Sequence, residues 1–490
     1  MPLWIAIFLH SLPLDAARPR WSPDAAFAML DQAARIAALT PAAAASGIHV
    51  GMRRAGAAAI APDVPLLARD PLIEQHLLHE TALALLQYTP EIAIAEPDTL
   101  LLQVGASLTY FGGPRRLHGR MAATLHSMGL HTWSGMAPTA QGAWLLAHQA
   151  RARASRRALQ LSTLARRLDT LPCALLPSAQ PRLDWLHGIG CRTLGDLRRL
   201  PRAGLQRRCG TELLHSLDAA YGAAPECHAW IQPPARFLQR LELPDYIEHA
   251  EAVLSWAQRL IEPLCGWLIA RRRAVQHLTL ELEHERGRRA RAPTTLPIDL
   301  AQPAWQPSHL LSLLREKLGR LPLEAPAIAL SLRVDDTVEQ PAASTSLFPE
   351  PGGSPADHAR LLDLLSARLG RERVLQANPI ADHRPETANR WCAAQQPSPA
   401  PQQSSFAFMD RPFWLLDPPI PLQVLQNRPT YAGQSLRLVR GPERIESGWW
   451  DAALTVRDYF VAEDAASARY WIYRERDTEN ARWFLHGRYA

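Results

Sequence analysis

Two glycines flank an isoleucine in the segment LHGIGCRTLGDLRRLP, which begins at Leu186 and ends at Pro201. Gly188 and Gly190 allow a tight turn, and such a turn can aim backbone N–H groups and a helix N-terminus at a phosphate. This chemistry binds the nucleic-acid backbone without reading base sequence. The spacing therefore predicts a DNA contact, and the alternative is an ordinary turn between two helices with solvated arginines. Five arginines lie close to the turn: Arg192, Arg198, Arg199, Arg207 and Arg208.

A second basic cluster surrounds one predicted strand farther along the chain. Because guanidinium groups bind phosphates, we expect these arginines to flank a DNA backbone. Charge runs are also common on ordinary protein surfaces, so the alternative is a solvated basic rim. The cluster comprises Arg271, Arg272, Arg273, Arg286, Arg288, Arg289 and Arg291.

Composition limits the classes of protein that fit. The chain has 490 residues, 47% of them hydrophobic, and a net charge of +6, which permits a polyanionic partner without identifying one. The six cysteines form no CxxC pair and no histidine cluster completes a zinc pattern, so we expect reduced thiols, a cytoplasmic location and no metal or other cofactor. The apolar start from Met1 to Pro13 is too short to span a bilayer and predicts a buried strand. The length predicts roughly three domains with linkers.

Alternating elements predict how these groups are positioned. A strand from Trp4 to Leu9, a helix from Pro23 to Ala38, a helix from about Asp70 to Tyr88 and a strand from Leu100 to Val104 indicate a mixed α/β core. A helical region runs from about Leu176 to Tyr221. A β-α-β-like module of about a hundred residues follows. Its predicted elements are helices from about Glu248 to Ala270 and from Pro307 to Leu318, and strands from Val275 to Glu283 and from Ile328 to Val338.

Residues typical of linkers separate a last block from the rest of the chain. Gly, Pro and Ser concentrate from Gln340 to Pro355, and Pro, Ser and Gln from Gln395 to Ser405. The block from Phe406 to Ala490 is rich in aromatic residues and predicts a small β-rich domain used for partner docking. The alternative is that its aromatic runs form the domain core. The predicted partner-binding residues are Trp449, Trp450, Trp483 and Phe484.

The order of these modules resembles that of the Y-family translesion DNA polymerases, and specifically their ImuB branch. The residues that carry the resemblance are LWIAIFLHSLPLDAA, GIHVGMRRAGAAAIAPDVPLLARDP, PEIAIAEPDTLLLQVGASLTYFGG and the glycine turn. It implies a multidomain α/β plus α protein. The expected domains are a palm at 1–165 with fingers inserted at about 12–70, a helix-hairpin-helix thumb at 166–234, a β-α-β little finger at 235–340, flexible linkers with a short helix at 341–405, and a C-terminal domain at 406–490.

Active members of this family need carboxylates on two adjacent palm strands, which hold two Mg²⁺ ions. The resemblance places Leu9 and Ser11 at the first pair of positions, and Asp98 and Thr99 at the second. A lone Asp98 cannot hold two divalent ions against water. The triphosphate-binding positions correspond to Pro41, Ala44 and Pro138, and the aromatic gate against ribonucleotides to Leu14. We therefore expect an inactive polymerase homologue rather than an enzyme.

The resemblance also implies partners: damaged or primer-template DNA, an error-prone DnaE-type polymerase, a RecA-like accessory protein of the ImuA type, and the bacterial sliding clamp. Ser344, Leu347 and Phe348 resemble a short clamp-binding peptide, although the expected leading Gln is Ser344 here. The alternative is a plain linker. Two rival hypotheses remain: a weak Mg²⁺-dependent polymerase that uses Asp98 with Glu96 or Asp15, and a DNA-independent scaffold.

Overall fold

The computed structural model describes most of the chain, and its elements fall into two compact units. The first unit spans Met1–Arg368 and the second Leu369–Ala490. No helix in the described part of the chain is long and apolar enough to cross a membrane. The described residues are 2–95, 97–149, 156–285, 291–340, 355–394, 411–412, 414–451, 453–476 and 481–489.

The N-terminal sheet has the order β5-β6-β1-β7, and neighbouring strands are antiparallel. Its strands are β1 (Trp4–Phe8), β5 (Ile92–Ala95), β6 (Thr99–Gln103) and β7 (Trp133–Ala137), and its helices are α1 (Leu12–Ala17), α4 (Pro71–Leu85), α5 (Pro114–Ser127) and α6 (Ala140–Ala147). Ile5 and Ile7 pack with α4 and α5, while Ala6 packs with α6 on the other face. Alternation along β1 thus gives the sheet two buried faces. The predicted strands at 4–9 and 100–104 and the helix at 70–88 are confirmed.

An insert between α1 and α4 forms a separate three-stranded sheet, in the order β3-β2-β4. Its elements are β2 (Ala28–Leu30), β3 (Ile36–Leu39), α2 (Pro41–Ala45), α3 (Arg54–Ile60) and β4 (Leu66–Ala68). The predicted helix from Pro23 to Ala38 is wrong, because this stretch forms β2, a turn and β3. Four consecutive residues, 27–30, are buried, which a one-sided helix would not produce. The Asp31 side chain accepts a hydrogen bond from the Arg35 N–H at 2.8 Å and closes the turn.

A helical module follows, and it contains the predicted pair of short helices. Its elements are α7 (Leu161–Leu168), α8 (Leu183–Gly188), α9 (Leu194–Arg199), α10 (Arg202–Cys209) and α11 (Thr211–Tyr221). Leucines at 186, 194, 197 and 217 are fully or almost fully buried, and they join α6 in one core. This packing fixes the orientation of the glycine turn relative to the N-terminal sheet.

The central sheet has the order β10-β9-β11-β8, with β12 paired to β9. Its elements are β8 (Leu238–Ile247), α12 (Ala250–Ala270), β9 (Arg273–His284), β10 (Thr294–Ala304), α13 (Pro307–Leu318), β11 (Ala327–Arg333) and β12 (Val338–Glu339). Both predicted helices and both predicted strands are present. The sequence analysis missed β8 and β10, because few residues of β8 are buried and Pro297 and Pro303 interrupt the pattern of β10.

The segment at 341–405 is not simply a linker in its described part. It contains α14 (Pro355–Leu369), β13 (Leu375–Pro379) and β14 (Asn389–Ala393). Asp363 of α14 accepts a hydrogen bond from the Ala301 N–H at 2.7 Å, which anchors this helix to the central sheet.

The second unit confirms a β-rich C-terminal region. Its large sheet has the order β17-β16-β15-β21-β20-β19-β18. The strands are β15 (Trp414–Leu425), β16 (Arg428–Tyr431), β17 (Gln434–Ser435), β18 (Arg437–Ser447), β19 (Thr455–Glu463), β20 (Arg469–Glu475) and β21 (Trp483–Arg488). Aromatic side chains at 459, 471 and 473 form part of its core.

Candidate nucleic-acid interface and strand-end site

The C-terminal end of β1 lies beside the N-terminal end of β6. The two predicted sets of acidic positions, which follow β1 and begin β6, are therefore neighbours. Phe8 of β1 is paired with Thr99 of β6, and the Leu9 N–H donates to the Asp98 carbonyl at 2.9 Å. Ser11 follows directly, before α1 begins. The four predicted positions therefore meet at one end of the N-terminal sheet.

Leu9 does not present its side chain at the open end of β1. It is 1% exposed and packs in the core with Ile5 and Ile7. The next residue, His10, lies beside Trp133, with the ring centroids 4.5 Å apart. Whichever of these residues is taken as the family's first acidic position, the end of β1 offers apolar, imidazole and hydroxyl groups but no carboxylate.

The remaining carboxylate, Asp98, is engaged by neighbouring side chains. Its Oδ1 accepts a hydrogen bond from the Thr99 hydroxyl at 2.9 Å and lies 3.8 Å from Nε2 of His148. The His148 ring stacks on Phe8 and Trp144, with centroid distances of 3.9 and 3.7 Å. Sequence reasoning missed His10 and His148, although the i,i+4 spacing of Trp144 and His148 already places them on one helical face.

Asp15, one of the two further carboxylates of the rival polymerase hypothesis, is held by other groups of the protein. Asp15 is fully buried and accepts hydrogen bonds from Trp21 Nε1 at 2.8 Å and from the His131 N–H at 2.9 Å. His131 Nδ1 lies 2.7 Å from the same carboxylate, and this hydrogen bond raises the pKa of His131. Glu96 lies outside the described residues. Among the residues that the structure describes, no cluster of three or more His, Cys, Asp or Glu could hold a metal ion.

The predicted triphosphate positions offer no phosphate ligands. Leu14 is 3% exposed and packs with Phe27 in a small core of the insert. Pro41 and Ala44 are exposed on α2, and Pro138 is buried just before α6. Apolar side chains at these four positions provide neither the hydroxyl nor the cation that a triphosphate requires.

The glycine turn between α8 and α9 uses its own amides. The N–H groups of residues 189–191 donate to carbonyls of α8 at 2.9 to 3.2 Å. Gly190 has φ +81°, which favours glycine, and a side chain added at Gly188 or Gly190 would meet no neighbour within 4 Å. The turn is exposed, but these three amides already have acceptors within the protein, and a phosphate contact at Gly188 and Gly190 stays a prediction.

The N-terminus of α9 is closed by a capping box. The Thr193 hydroxyl accepts from the Asp196 N–H at 3.1 Å, and the Asp196 carboxylate accepts from the Thr193 N–H at 3.0 Å. Hydrogen bonds from Thr193 lower the pKa of Asp196, so this carboxylate stays ionised. An anion at this helix N-terminus would face the charge of Asp196, which leaves the arginine side chains of the module as groups that could contact a phosphate.

Arginines around the turn fall into two groups. One group is already ion-paired: Arg198 with Asp169, Arg199 with Asp196 and Arg202 with Asp218. The other group, here called the unpaired arginines, is exposed and makes no ion pair within the described part of the chain: Arg192, Arg207 and Arg208. Arg208 also lies over the Trp185 ring at 5.3 Å, which limits its motion. The unpaired arginines are the cations of this module that remain available to a phosphate.

Three of the four described members of the second basic cluster make contacts within the protein. Arg271 donates to the Pro234 carbonyl at 3.1 Å, and Arg273 Nε donates to the Thr337 hydroxyl at 2.9 Å. Arg272 is exposed, with a backbone φ of +52°. Of the three consecutive arginines at 271–273, only Arg272 is exposed with no side-chain hydrogen bond or ion pair to another part of the described chain. Arg286, Arg288 and Arg289 lie outside the described residues, and Arg291 pairs with Glu324 at 2.9 Å.

The open face of the central sheet carries paired charges of both signs. Arg240 contacts Glu242 and Glu283, each at 2.8 Å, and Arg333 lies 3.9 Å from Glu281. Acidic groups offset the arginines here. This face therefore lacks the excess of positive charge that favours nucleic acid.

Two of the four predicted partner-binding aromatic residues are exposed, and the other two pack in the C-terminal sheet. Trp449 and Trp450 are 75% and 56% exposed and meet edge to face at 4.8 Å. Trp483 instead packs near Phe460 at 5.4 Å, and Phe484 stacks on Tyr473 at 5.1 Å. The prediction of a free docking surface is corrected for Trp483 and Phe484, because both contribute to the cores of the C-terminal sheet. The proposed clamp peptide, Ser344, Leu347 and Phe348, lies outside the described residues.

Comparison with known proteins agrees with the motif order. Residues 18–148 match the impB/mucB/samB family. Protein ImuB from two strains of Caulobacter vibrioides is 26% identical over 481 residues, covering 90% of this chain and 99% of the relative. A Y-family DNA polymerase chimera of Dbh and Dpo4 and an insertion ternary complex of Dbh DNA polymerase each cover 69% of this chain and 100% of that chain, at 15% identity and TM-scores of 0.38 and 0.37. Residues 18–148 are therefore similar to the impB/mucB/samB family, and the chain is similar to Protein ImuB over most of its length, in agreement with the resemblance predicted from its motifs.

Proposed function

We propose that this protein is a non-catalytic, DNA-binding assembly factor of a translesion synthesis complex in the mutagenic response to DNA damage. The observation that carries the proposal is the end of β1 and β6. Leu9, His10 and Ser11 follow β1 there, and Thr99 and His148 contact Asp98, where an active polymerase needs several carboxylates. Mg²⁺ prefers hard oxygen ligands, and neither a stacked imidazole nor one carboxylate meets that requirement.

DNA binding is assigned to the unpaired arginines, with Arg272 as a further contact. Their exposure and lack of carboxylate partners favour contact with phosphates, which is independent of base sequence. Fluorescence anisotropy of a labelled primer-template, measured from 50 to 200 mM salt, tests this assignment. We expect log K to fall linearly with log salt, with a slope of roughly −0.9 for each phosphate neutralised. Salt-independent binding would contradict the assignment to phosphate contacts, and absence of binding at 50 mM would favour the DNA-independent scaffold.

The protein would bring synthesis to the lesion through partners rather than perform it. The proposed partners are an error-prone DnaE-type polymerase, an ImuA-type accessory protein and the sliding clamp, the last through Ser344, Leu347 and Phe348. Holding a polymerase and DNA on one chain raises their effective concentration without a new catalytic site.

Trp449 and Trp450 are the proposed docking residues for the polymerase. Large exposed aromatic side chains are frequent binding hot spots, whose truncation costs about 2 kcal/mol or more. We therefore expect Trp449→Ala to weaken binding of a purified DnaE-type polymerase to the full chain by at least about 10-fold. Trp391→Ala is a matched control, because this tryptophan is 68% exposed in the same unit. Equal binding by the wild type and Trp449→Ala would show that Trp449 is not a docking residue for the polymerase.

A further inference from the structure

A cleft of about 370 Å³ lies beside the edge strand β7, and nothing in the proposed function uses it. Its volume falls within the range of about 300–1,000 Å³ that is usual for small-molecule sites. The lining is dominated by cationic and polar side chains: Arg115, His118, Ser134, Met136, Arg156 and Arg157.

Backbone pairing explains why the arginines converge. Residues 156–158 add a short parallel segment to the free edge of β7, where Met136 is the partner of Arg157. The Met136 N–H donates to the Arg156 carbonyl at 2.9 Å, and the Ala158 N–H donates to the Met136 carbonyl at 2.8 Å. Arg115 and His118 reach the same cleft from the first turns of α5. Two elements distant in sequence thus present positive charge to one cavity.

The surrounding sequence supplies no negative charge to neutralise this cleft. No Asp or Glu occurs from residue 99 to residue 168, a stretch that contains nine arginines. Neither Arg115 nor Arg157 forms an ion pair with any described residue. Cavity walls of low dielectric concentrate such a field, so the cleft attracts anions.

One guanidinium has unmet hydrogen-bonding capacity. Arg156 donates through one Nη to the Gln149 carbonyl at 2.9 Å and lies 4.4 Å from the centre of the Trp133 ring. Its Nε is buried and has no hydrogen-bond partner among the described residues. Burial also lowers the pKa of Arg156. A bound anion in the cleft would stabilise the charged form of this guanidinium.

The pKa of His118 should change when an anion binds in the cleft. Its Nε2 lies 2.6 Å from the Ser134 hydroxyl. Burial lowers the pKa of His118, and the positive charge of Arg157 lowers it further. An anion beside Arg157 would oppose that repulsion, so binding should raise the pKa of His118.

From the cavity, its arginines and the absence of a carboxylate from its described lining, we infer that this cleft binds a phosphate group bearing two or more negative charges. Pyrophosphate and the terminal phosphate monoester of a DNA strand share this chemistry. The inference does not rest on the proposed DNA contact, because the cleft and the unpaired arginines have no residue in common.

Isothermal titration of the full chain with inorganic pyrophosphate tests the inference. We expect saturable binding that weakens at least about 10-fold in Arg115→Gln and in Arg157→Gln, since each removes one charge-assisted contact. Arg116→Gln is the matched control, because this neighbouring arginine is exposed but does not line the cleft. Thermal unfolding of each variant checks that the fold is kept. Absence of binding, or equal binding by all four proteins, would overturn the inference.

Two further measurements distinguish the source of the phosphate and provide a second readout. A 5′-phosphorylated oligonucleotide that displaces pyrophosphate better than its 5′-hydroxyl counterpart would identify a DNA end as the ligand. Equal displacement by the two would identify a free phosphate compound. NMR titration of His118 should show a higher pKa with pyrophosphate in the wild type and no change in Arg157→Gln. A His118 pKa that does not respond in the wild type would contradict binding in this cleft.

Discussion

Replacing Arg192, Arg207 and Arg208 together with glutamine is expected to weaken primer-template binding by about 30-fold at 100 mM salt, equivalent to about 2 kcal/mol. Each of these arginines is exposed, and none is ion-paired among the described residues, so each is free to neutralise a phosphate. The slope of log K against log salt should become shallower by roughly three, one for each contact removed. Fluorescence anisotropy over a salt series measures both quantities.

The ion-paired arginines provide a matched control. Replacing Arg198, Arg199 and Arg202 with glutamine removes the same net charge from the same module, but these side chains already contact carboxylates. We expect this control to lose less than about threefold in affinity, because long-range charge alone contributes weakly at this ionic strength. Equal losses in the two triple variants would show that net charge, rather than a localised interface, governs binding.

Asp15→Ala is expected to lower the free energy of unfolding of the first unit by about 3 kcal/mol, because it leaves buried donors without an acceptor. The carboxylate is fully buried and joins α1 to Trp21 and His131. Urea unfolding of the full chain, followed by circular dichroism, measures the change in stability. Asp63→Ala is the control, since Asp63 is exposed in the same insert, and it should change stability little.

The effect of Asp15 should depend on pH. Hydrogen bonding to Asp15 raises the pKa of His131 in the folded protein above its ordinary value of 6.5. This pair therefore contributes fully below about pH 6.5 and loses part of its contribution as the pH rises through the folded pKa. The stability difference between wild type and Asp15→Ala should be larger at pH 6 than at pH 8.5. A pH-independent difference would mean that the charge of His131 has no part in it.

Helices with strong local signals were predictable from sequence. The Asp70 side chain caps α4 by accepting from the Leu72 N–H at 2.9 Å, and Pro71 occupies its first turn. Helix α13 begins and ends as predicted, at Pro307 and Leu318. In such cases capping residues and apolar spacing agree, so local sequence determines the element.

Elements stabilised by distant partners were not predictable. Residues 23–38 show helical spacing, yet β2 pairs in parallel with β4, and Ala28 lies opposite Leu66. Tertiary pairing overrides weak propensity in this alanine-rich stretch. The basic cleft was missed for a similar reason, because it depends on the pairing of Met136 with Arg157.

The candidate site was predictable in its residue types but not in its contacts. The placement of Leu9, Ser11 and Thr99 at the family's acidic positions is a prediction from the sequence resemblance. Whether an amide or an arginine is available does not, since the turn around Gly190 satisfies its own N–H groups and Arg198 is held by Asp169. Chain folding decides which of several similar groups keeps a free hydrogen-bonding site.

Primer extension distinguishes a non-catalytic DNA-binding protein from a weak polymerase. The purified full chain, saturated with primer-template, is incubated with all four deoxynucleotides and Mg²⁺ or Mn²⁺. We expect DNA binding without extension above a protein-free control, because no cluster of carboxylates that could hold two metal ions surrounds Asp98 among the described residues. Metal-dependent extension that is lost in Asp98→Ala would contradict it and would favour the weak-polymerase hypothesis.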